Sequence, residues 1–571
     1  MTVYKQLTKQ VLSNRIFIIL LAILCTLTAA LFFFVRFTID GNVNRLDEII
    51  AMGGDGVRYR AAINSNTTLA YVFLAAIIAL TAFVFFIFYY RFYRSNRKQI
   101  GVIKALGFKD STINKYFILL TAGFTFIGGL IGLLGAYPLS AVLLQANIDT
   151  YGVTGLVRSL NMKSILLCFI AAILAFSFIS FISYRLFIKG KEAGNLIAGN
   201  LNKTSYTGTL KVADKLANIL PVKNKFPVRI MLRKPITVLL IFAAVLFFNT
   251  FMIISYSLNI SSSKVYESQT AGHNYEYLTT YDEYLTDSPQ KNDLEMLSIT
   301  GTIQSKSAEI KQNITGLYRL NDIYQIKNKN GDLLSVPDSG TAVIGEGLRE
   351  VYGLQVGDTV LIEINNKTLT IKIADIAENA QSDTVYVNGN ELAALMGLES
   401  GSYNVLLSDI QPDVSGNTIT QSERIDLLKQ DATSNNISGV INQVIGALSG
   451  CILMFLALYM SFQDNTRDML ILGLMGYQPK DVRKMFVDIY QPIVWIFFVI
   501  CLPISILMVQ SIQRSLSVST GDFMPFGTNI LVIGLVFIIL TLIYQMVQLI
   551  FGHMLKSIDR KEEVAAYTNV E

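Results

Sequence analysis

What most constrains this chain is a set of eight apolar stretches, at roughly 16–37, 67–90, 116–145, 164–187, 236–258, 440–462, 486–511 and 528–551. Each reaches about the 20 residues that a helix needs to cross the hydrocarbon of a bilayer. No water is present there to bond a bare backbone, so each stretch must close its own N–H and C=O groups as a helix. Charged residues make up only 16% of the chain, against about 25% in a soluble domain. The pattern predicts an α-helical polytopic membrane protein with eight crossings and both termini on one side. Apolar residues run from Ile16 to Phe34 with no small-residue cleavage site after them, so the first stretch reads as a retained helix.

Basic residues set the orientation. With the N-terminus inside, the inner segments hold 28 Lys and Arg, whereas the three short outer loops hold 6: Arg45, Arg58, Arg60, Arg158, Lys163 and Arg514. That bias follows the positive-inside rule. Cys25, Cys168, Cys451 and Cys501 all fall in apolar stretches and read as small apolar residues, not as a disulfide or metal set.

One polar segment, 259–438, is too long for a loop and faces outward. It is predicted to be a mixed α+β domain. Thr359–Ile364 and Lys367–Ile373 alternate around Asn365 and Asn366, a hairpin signature. Thr384–Val387 reads as a strand, and Glu391–Met396 and Ser422–Gln430 read as helices. The segment carries 12 basic and 25 acidic residues. This suits a solvated outer domain, or a surface that steers cationic ligands such as antimicrobial peptides. Tyr266, Tyr275, Tyr277, Tyr281 and Tyr284 read as strand or interface packing.

The chain repeats. A shift of 369 positions lays Lys98–Phe117 on Arg467–Phe486 without a gap, matching Gly107 to Gly476, Phe108 to Tyr477, Lys115 to Lys484 and Phe117 to Phe486. Each copy lies on the inner side between two crossings. An apolar run leads to a glycine–aromatic turn and then a charged half, so each is an inward elbow with a face that needs a partner. The organisation is the same unit twice: basic amphipathic lead-in, one crossing, outer segment, three crossings. The expected domains are a lead-in helix at 1–15, a first four-helix unit at 16–190 and a cytoplasmic linker with the second lead-in at 191–235. Then follow a fifth crossing at 236–258, the outer domain at 259–438, three crossings at 439–552 and a cytoplasmic tail at 553–571.

At Arg97-Lys-Gln-Ile-Gly-Val-Ile-Lys-Ala-Leu-Gly107, and at the glycine series Gly128, Gly129, Gly132 and Gly135, the chain resembles the FtsX-like permeases of MacB and bacitracin-resistance type. Thr341-Ala-Val-Ile-Gly-Glu-Gly347 and Tyr352-Gly-Leu-Gln-Val-Gly-Asp-Thr359 are similar to a pattern in that family's outer domains. Two departures stand out. Leu119 and Leu120 occupy the region where the family often has an acidic residue, and Cys501-Leu-Pro503-Ile-Ser505 replaces the glycine series in the second copy. Eight crossings in two units resemble a fused pseudo-dimer.

The resemblance implies the permease subunit of an ATP-binding-cassette transporter in a bacterial cytoplasmic membrane, working with two copies of a separate cytosolic ATPase. The elbows would be coupling helices that dock it, through Arg97, Lys98, Ile100, Gly101, Lys104, Leu106, Gly107 and Phe108 in the first. In the second the docking residues would be Arg467, Leu470, Leu472, Met475, Gly476, Tyr477, Lys480 and Arg483. Gly128, Gly129, Gly132 and Gly135 would let helix backbones approach closely. ATP and Mg are expected on the partner ATPase and no cofactor on this chain, which lacks a Gly-x-x-x-x-Gly-Lys-Ser/Thr loop.

The function so implied is export, extraction or detoxification of an amphiphilic peptide or lipid-linked compound. The alternative is a transmitter that activates an outer hydrolase or a sensor kinase without moving cargo. No nucleic-acid partner is expected. His273 and His553 are isolated and no catalytic constellation is present, so the chain reads as non-enzymatic. Asn249, Asp488, Gln545 and Gln548, polar within the crossings, are expected to face protein or water.

Overall fold

The computed structural model describes residues 2–51, 56–198, 235–286, 292–304, 309–412, 416–520 and 523–558. The second lead-in before Pro235, the linker beyond Ala198 and the tail beyond Ile558 lie outside them. Among the described residues eight helices are long and apolar enough to cross a membrane. They are TM1 (Arg15–Ile39), TM2 (Gly56–Ser95), TM3 (Asp110–Tyr151), TM4 (Met162–Phe187), TM5 (Pro235–Thr270), TM6 (Gln421–Leu474), TM7 (Gln491–Thr520) and TM8 (Ile530–Ile558). The first lead-in is a separate helix, Thr2–Ser13. It packs on the bundle: Leu7 and Val11 are buried, and Thr8 hydrogen-bonds Tyr116 at the start of TM3 at 2.6 Å.

The two units pack as a pseudo-two-fold pair. TM2 touches TM7 and TM3 touches TM6, an exchange of equivalent helices. The same exchange recurs in ring pairs, with Phe17 of TM1 against Tyr459 of TM6 and Phe73 of TM2 against Phe251 of TM5. Such reciprocity marks an isologous interface.

TM6 is 54 residues long, about 80 Å at 1.5 Å per residue, so it far overshoots the bilayer. TM5 and TM6 continue outward as stalks, and the boundaries near 259 and 438 therefore fall inside helices. The sheet body of the outer domain occupies 277–420. A capping box starts TM6: Glu423 N–H donates to Thr420 Oγ1 at 3.2 Å, and Thr420 N–H donates to Glu423 Oε2 at 2.9 Å. Two orphan backbone donors are thereby satisfied.

The outer domain has nine strands: β1 (Tyr277–Leu285), β2 (Leu294–Gln304), β3 (Glu309–Leu317), β4 (Thr341–Gly345), β5 (Thr359–Ile364), β6 (Lys367–Ala377), β7 (Thr384–Asn388), β8 (Tyr403–Ser408) and β9 (Asn417–Thr420). Their order is β3-β7-β4-β6-β5-β2-β8-β1-β9, and β2 also pairs with β3. That extra pairing closes the first six into a barrel around Leu297, Ile314, Ile344, Ile362, Ile373 and Val385. Closure removes exposed strand edges. Strands β8, β1 and β9 extend from β2 as an open wing. Asn365 and Asn366 adopt φ of 50° and 64°, the left-handed pair that a two-residue type I′ hairpin requires. The short helices Glu346–Tyr352 and Gly389–Met396 complete the domain.

Candidate functional site

The two elbows end in the same device. In the first, helix Arg97–Ala105 stops at Gly107, which has φ 89°. Gly107 N–H donates to Lys104 O at 3.0 Å and Phe108 N–H to Ile103 O at 3.4 Å. In the second, the last turn of TM6 stops at Gly476 with φ 90°; Gly476 N–H donates to Gly473 O at 3.0 Å and Tyr477 N–H to Leu472 O at 3.1 Å. Both are Schellman caps, which need a residue that tolerates positive φ. Burial repeats at the same shift of 369. Ile100 and Met469, Ile113 and Val482, and Phe117 and Phe486 are all buried, while Val102 and Ile471, and Leu106 and Met475, are exposed.

The exposed pairs form the candidate docking faces. Leu106 is 67% exposed, Leu474 74% and Met475 69%, apolar surface on the side that the basic residues assign to the cytoplasm. Tyr477 and Lys480 are exposed beside them, and Phe108, Leu470 and Leu472 are half-buried. Lys98 is exposed and Arg97 half-buried. The side chain of Arg467 lies outside the described residues.

Two basic residues of the set are tied inward. Lys104 Nζ is 3.0 Å from Asp110 Oδ1 and donates to Lys191 O at 2.6 Å. Arg483 Nε is 3.3 Å from Asp488 Oδ2. Asp488 also accepts from Gln548 at 3.3 Å, which answers how that carboxylate is met near the inner end of the bundle. Ile100 and Gly101 face inward, where the helix Ala193–Ala198 covers them. A Cβ on Gly101 would lie 2.9 Å from Ile197 and 3.0 Å from Leu196.

Three of the four glycines in the TM3 series 128–135 sit at close approaches. A Cβ on Gly128 would meet Cys25 Cβ at 2.6 Å, one on Gly129 would meet Phe169 at 2.6 Å, and one on Gly132 would run into Thr26 O of TM1. Gly135 is a correction: it is exposed and a Cβ there meets nothing within 4 Å, so it serves no helix contact in this chain. The second unit builds its seam elsewhere, at Gly446 and Gly450 of TM6, whose Cβ positions lie 2.9 Å from Phe251 and 3.1 Å from Phe248 of TM5. Their i, i+4 spacing is the sequence signal of this seam. Asn249 is buried and donates to Phe498 O of TM7 at 3.5 Å, an interhelical bond. Gln545 is exposed on TM8.

Where the outer domain meets the bundle, a cavity of about 830 Å³ opens between the TM5 stalk, helix Glu346–Tyr352 and the outer end of TM7. Its lining mixes charge (Lys264, Glu346, Arg349, Arg514) with the apolar Phe523 and Phe526. Burial and the neighbouring Glu378 hold the Glu346 carboxyl above its ordinary range. Among the described residues no group of three or more His, Cys, Asp or Glu is placed to hold a metal ion.

Two packed four-helix units with paired inward elbows thus carry a stalk-borne outer domain. The family model for the FtsX-like permease C-terminal region matches twice, at 71–191 and 443–558, each match covering three crossings and one elbow. The chain thus carries the FtsX-like permease C-terminal domain in two copies. The crystal structure of the periplasmic region of MacB from Actinobacillus actinomycetemcomitans is similar over 30% of this chain and 93% of its own, at 17% identity and a TM-score of 0.19. No curated protein matches the chain.

Proposed function

We propose that two copies of a cytosolic ABC ATPase, which would hold the ATP and Mg, dock at the two elbows and move the outer domain, so that an amphiphilic peptide or lipid-linked compound is exported, extracted or detoxified at the outer leaflet. The observation that carries this reading is TM6. One unbroken helix runs from the β9 strand of the outer domain to the second elbow. A push on the elbow is a displacement of that rod, and such a shift is the shear or hinge motion that couples distant sites. The mixed lining of the cavity at the foot of the outer domain suits an amphiphile, whose charged and apolar parts need different partners. Both termini then lie in the cytoplasm of a bacterial cell, as the basic bias requires.

The test is copurification. The double variant Leu106→Asp and Leu474→Asp places a charge in each exposed apolar face without touching the core. It is expected to lose the ATPase while remaining monodisperse. Full retention of the ATPase contradicts the docking assignment. Stimulation of the complex's ATP turnover by an added amphiphile supports transport, whereas ATP-driven change in a partner protein with no cargo moved supports the transmitter instead.

A further inference from the structure

Away from the elbows and the membrane cavity, the outer domain holds a second cup of about 430 Å³, within the range of roughly 300–1,000 Å³ typical of small-molecule sites. Strands β1, β2, β3, β8 and β9 form its floor, and the points where both stalks enter the domain form its wall. Gln269 comes from the end of TM5, His273 from just beyond it, and Arg424 and Leu427 from the first turns of TM6.

Charge sets this cup apart. The outer domain carries 25 acidic residues against 12 basic, yet no carboxylate is among the residues that line the cup. Its lining does include a guanidinium. Arg424 Cζ lies 4.0 Å from the centroid of the Tyr275 ring. Stacking covers the face of a guanidinium, so its hydrogen-bonding capacity lies in its plane. Nη2 donates to His273 O at 3.5 Å, while Nε and Nη1 are shut from solvent and have no hydrogen-bond partner in the protein. Arg424 makes no ion pair among the described residues. His273 adds no charge at working pH, because burial lowers its pKa to about 4. Arg424 is half-buried, lines the cup and has no counter-charge there, and an oxyanion in the cup would supply one. Beside Arg424, Tyr324 and Tyr386 supply ring surface, and Met296, Leu407 and Leu427 supply apolar surface.

We propose that this cup binds a small ligand whose carboxylate or phosphate is held by Arg424 and whose apolar or aromatic body rests on the wing strands. Residues of both stalks line the cup, so occupancy ties TM5 to TM6 at the point where they enter the domain. The proposal stands apart from the transport reading, since it needs neither ATPase nor cargo movement.

Calorimetric titration of the full-length chain in lipid nanodiscs tests it. The probes are phenyl phosphate, N-acetyl-phenylalanine and, as the neutral control, N-acetyl-phenylalanine amide. One or both anions are expected to bind saturably, and the amide about tenfold more weakly or worse, the usual worth of a charged hydrogen bond. Arg424→Met is expected to abolish that preference and Arg424→Lys to restore part of it. A stronger phosphate arm assigns a phosphate-bearing ligand, and a stronger carboxylate arm a carboxylate. Equal binding of anion and amide by the native chain, no binding at all, or an unchanged preference in a folded Arg424→Met chain overturns the proposal. The native chain's comparison decides by itself if the variant does not fold.

Discussion

The two units share a plan and differ in where they are stiff. In the first, TM2 ends at Ser95 and the elbow helix begins at Arg97, with Asn96 between them at φ −101° and ψ 18°. In the second there is no break, since TM6 runs through Asn465, the counterpart of Asn96, to Leu474. Both asparagines bond the carbonyl four residues back: Asn96 Nδ2 to Phe92 O at 3.0 Å and Asn465 Nδ2 to Ser461 O at 2.8 Å. The same residue making the same bond therefore permits either a joint or a rod. Surroundings decide between them, for Asn465 is buried while Asn96 is half-buried beside an elbow held by Ala193–Ala198. The unit with the rod is also the one that bears the outer domain. Under the proposed function, one arm of the duplicated unit would grip the ATPase and the other would grip and move.

The glycine seams give the largest expected contrast. Gly132→Ala drives a Cβ into the TM1 backbone and should cost about 3 kcal/mol, the upper range for overpacking. Gly446→Ala meets the Phe251 side chain, which can shift, and should cost nearer to about 1 kcal/mol by the same reasoning. Gly135→Ala should be neutral or gain up to about 1 kcal/mol of helix propensity. Thermal unfolding of the three chains in one detergent ranks them. Equal effects at Gly132 and Gly135 would remove the seam.

Next in size is docking at one elbow at a time. Leu106→Asp alone and Leu474→Asp alone should each leave one ATPase copy bound per chain, read by native mass spectrometry. A single variant that loses both copies would mean the elbows are not independent. Smaller again is Lys104→Met. That residue is tied to Asp110, so its loss should lower stability by about 1 kcal/mol or less, the range for a partly exposed pair, and leave ATPase capture as it was.

A separate effect is one of pH in the second unit, because the first contains no histidine. His273 has a folded pKa lowered to about 4 by burial, from an ordinary 6.5. Between those values the unfolded chain binds the proton and the folded one does not, so stability is lost as pH falls from about 6.5 toward 4. Hydrogen exchange in the outer domain should rise over that window, and His273→Gln should flatten the response.

Much of the fold was legible because its signals are local. Apolar length gave the crossings, and the pair Asn365 and Asn366 gave the hairpin. The matched glycines Gly107 and Gly476 gave the elbows, since a Schellman cap needs its glycine wherever it occurs. What stayed hidden depends on distant partners. The barrel closes through the β2–β3 pairing, which no alternation pattern forces. The break at Asn96 and the continuity at Asn465 are chosen by packing, since the residues match. Tyr275 read as ordinary packing because Arg424, 149 positions away, is what makes its ring part of a cup.

The central claim is that the outer domain moves because TM6 is a rod. The direct measurement is the spin-label distance between Leu333→Cys on the outer domain and Met162→Cys at the outer end of TM4, in a chain whose native cysteines are replaced, assembled with its ATPase. ATP should shift that distance in the otherwise unaltered chain and in Asn436→Ala. It should not do so in Asn436→Pro, which breaks the exposed stalk while ATP hydrolysis continues. A full shift in the proline variant would contradict the account.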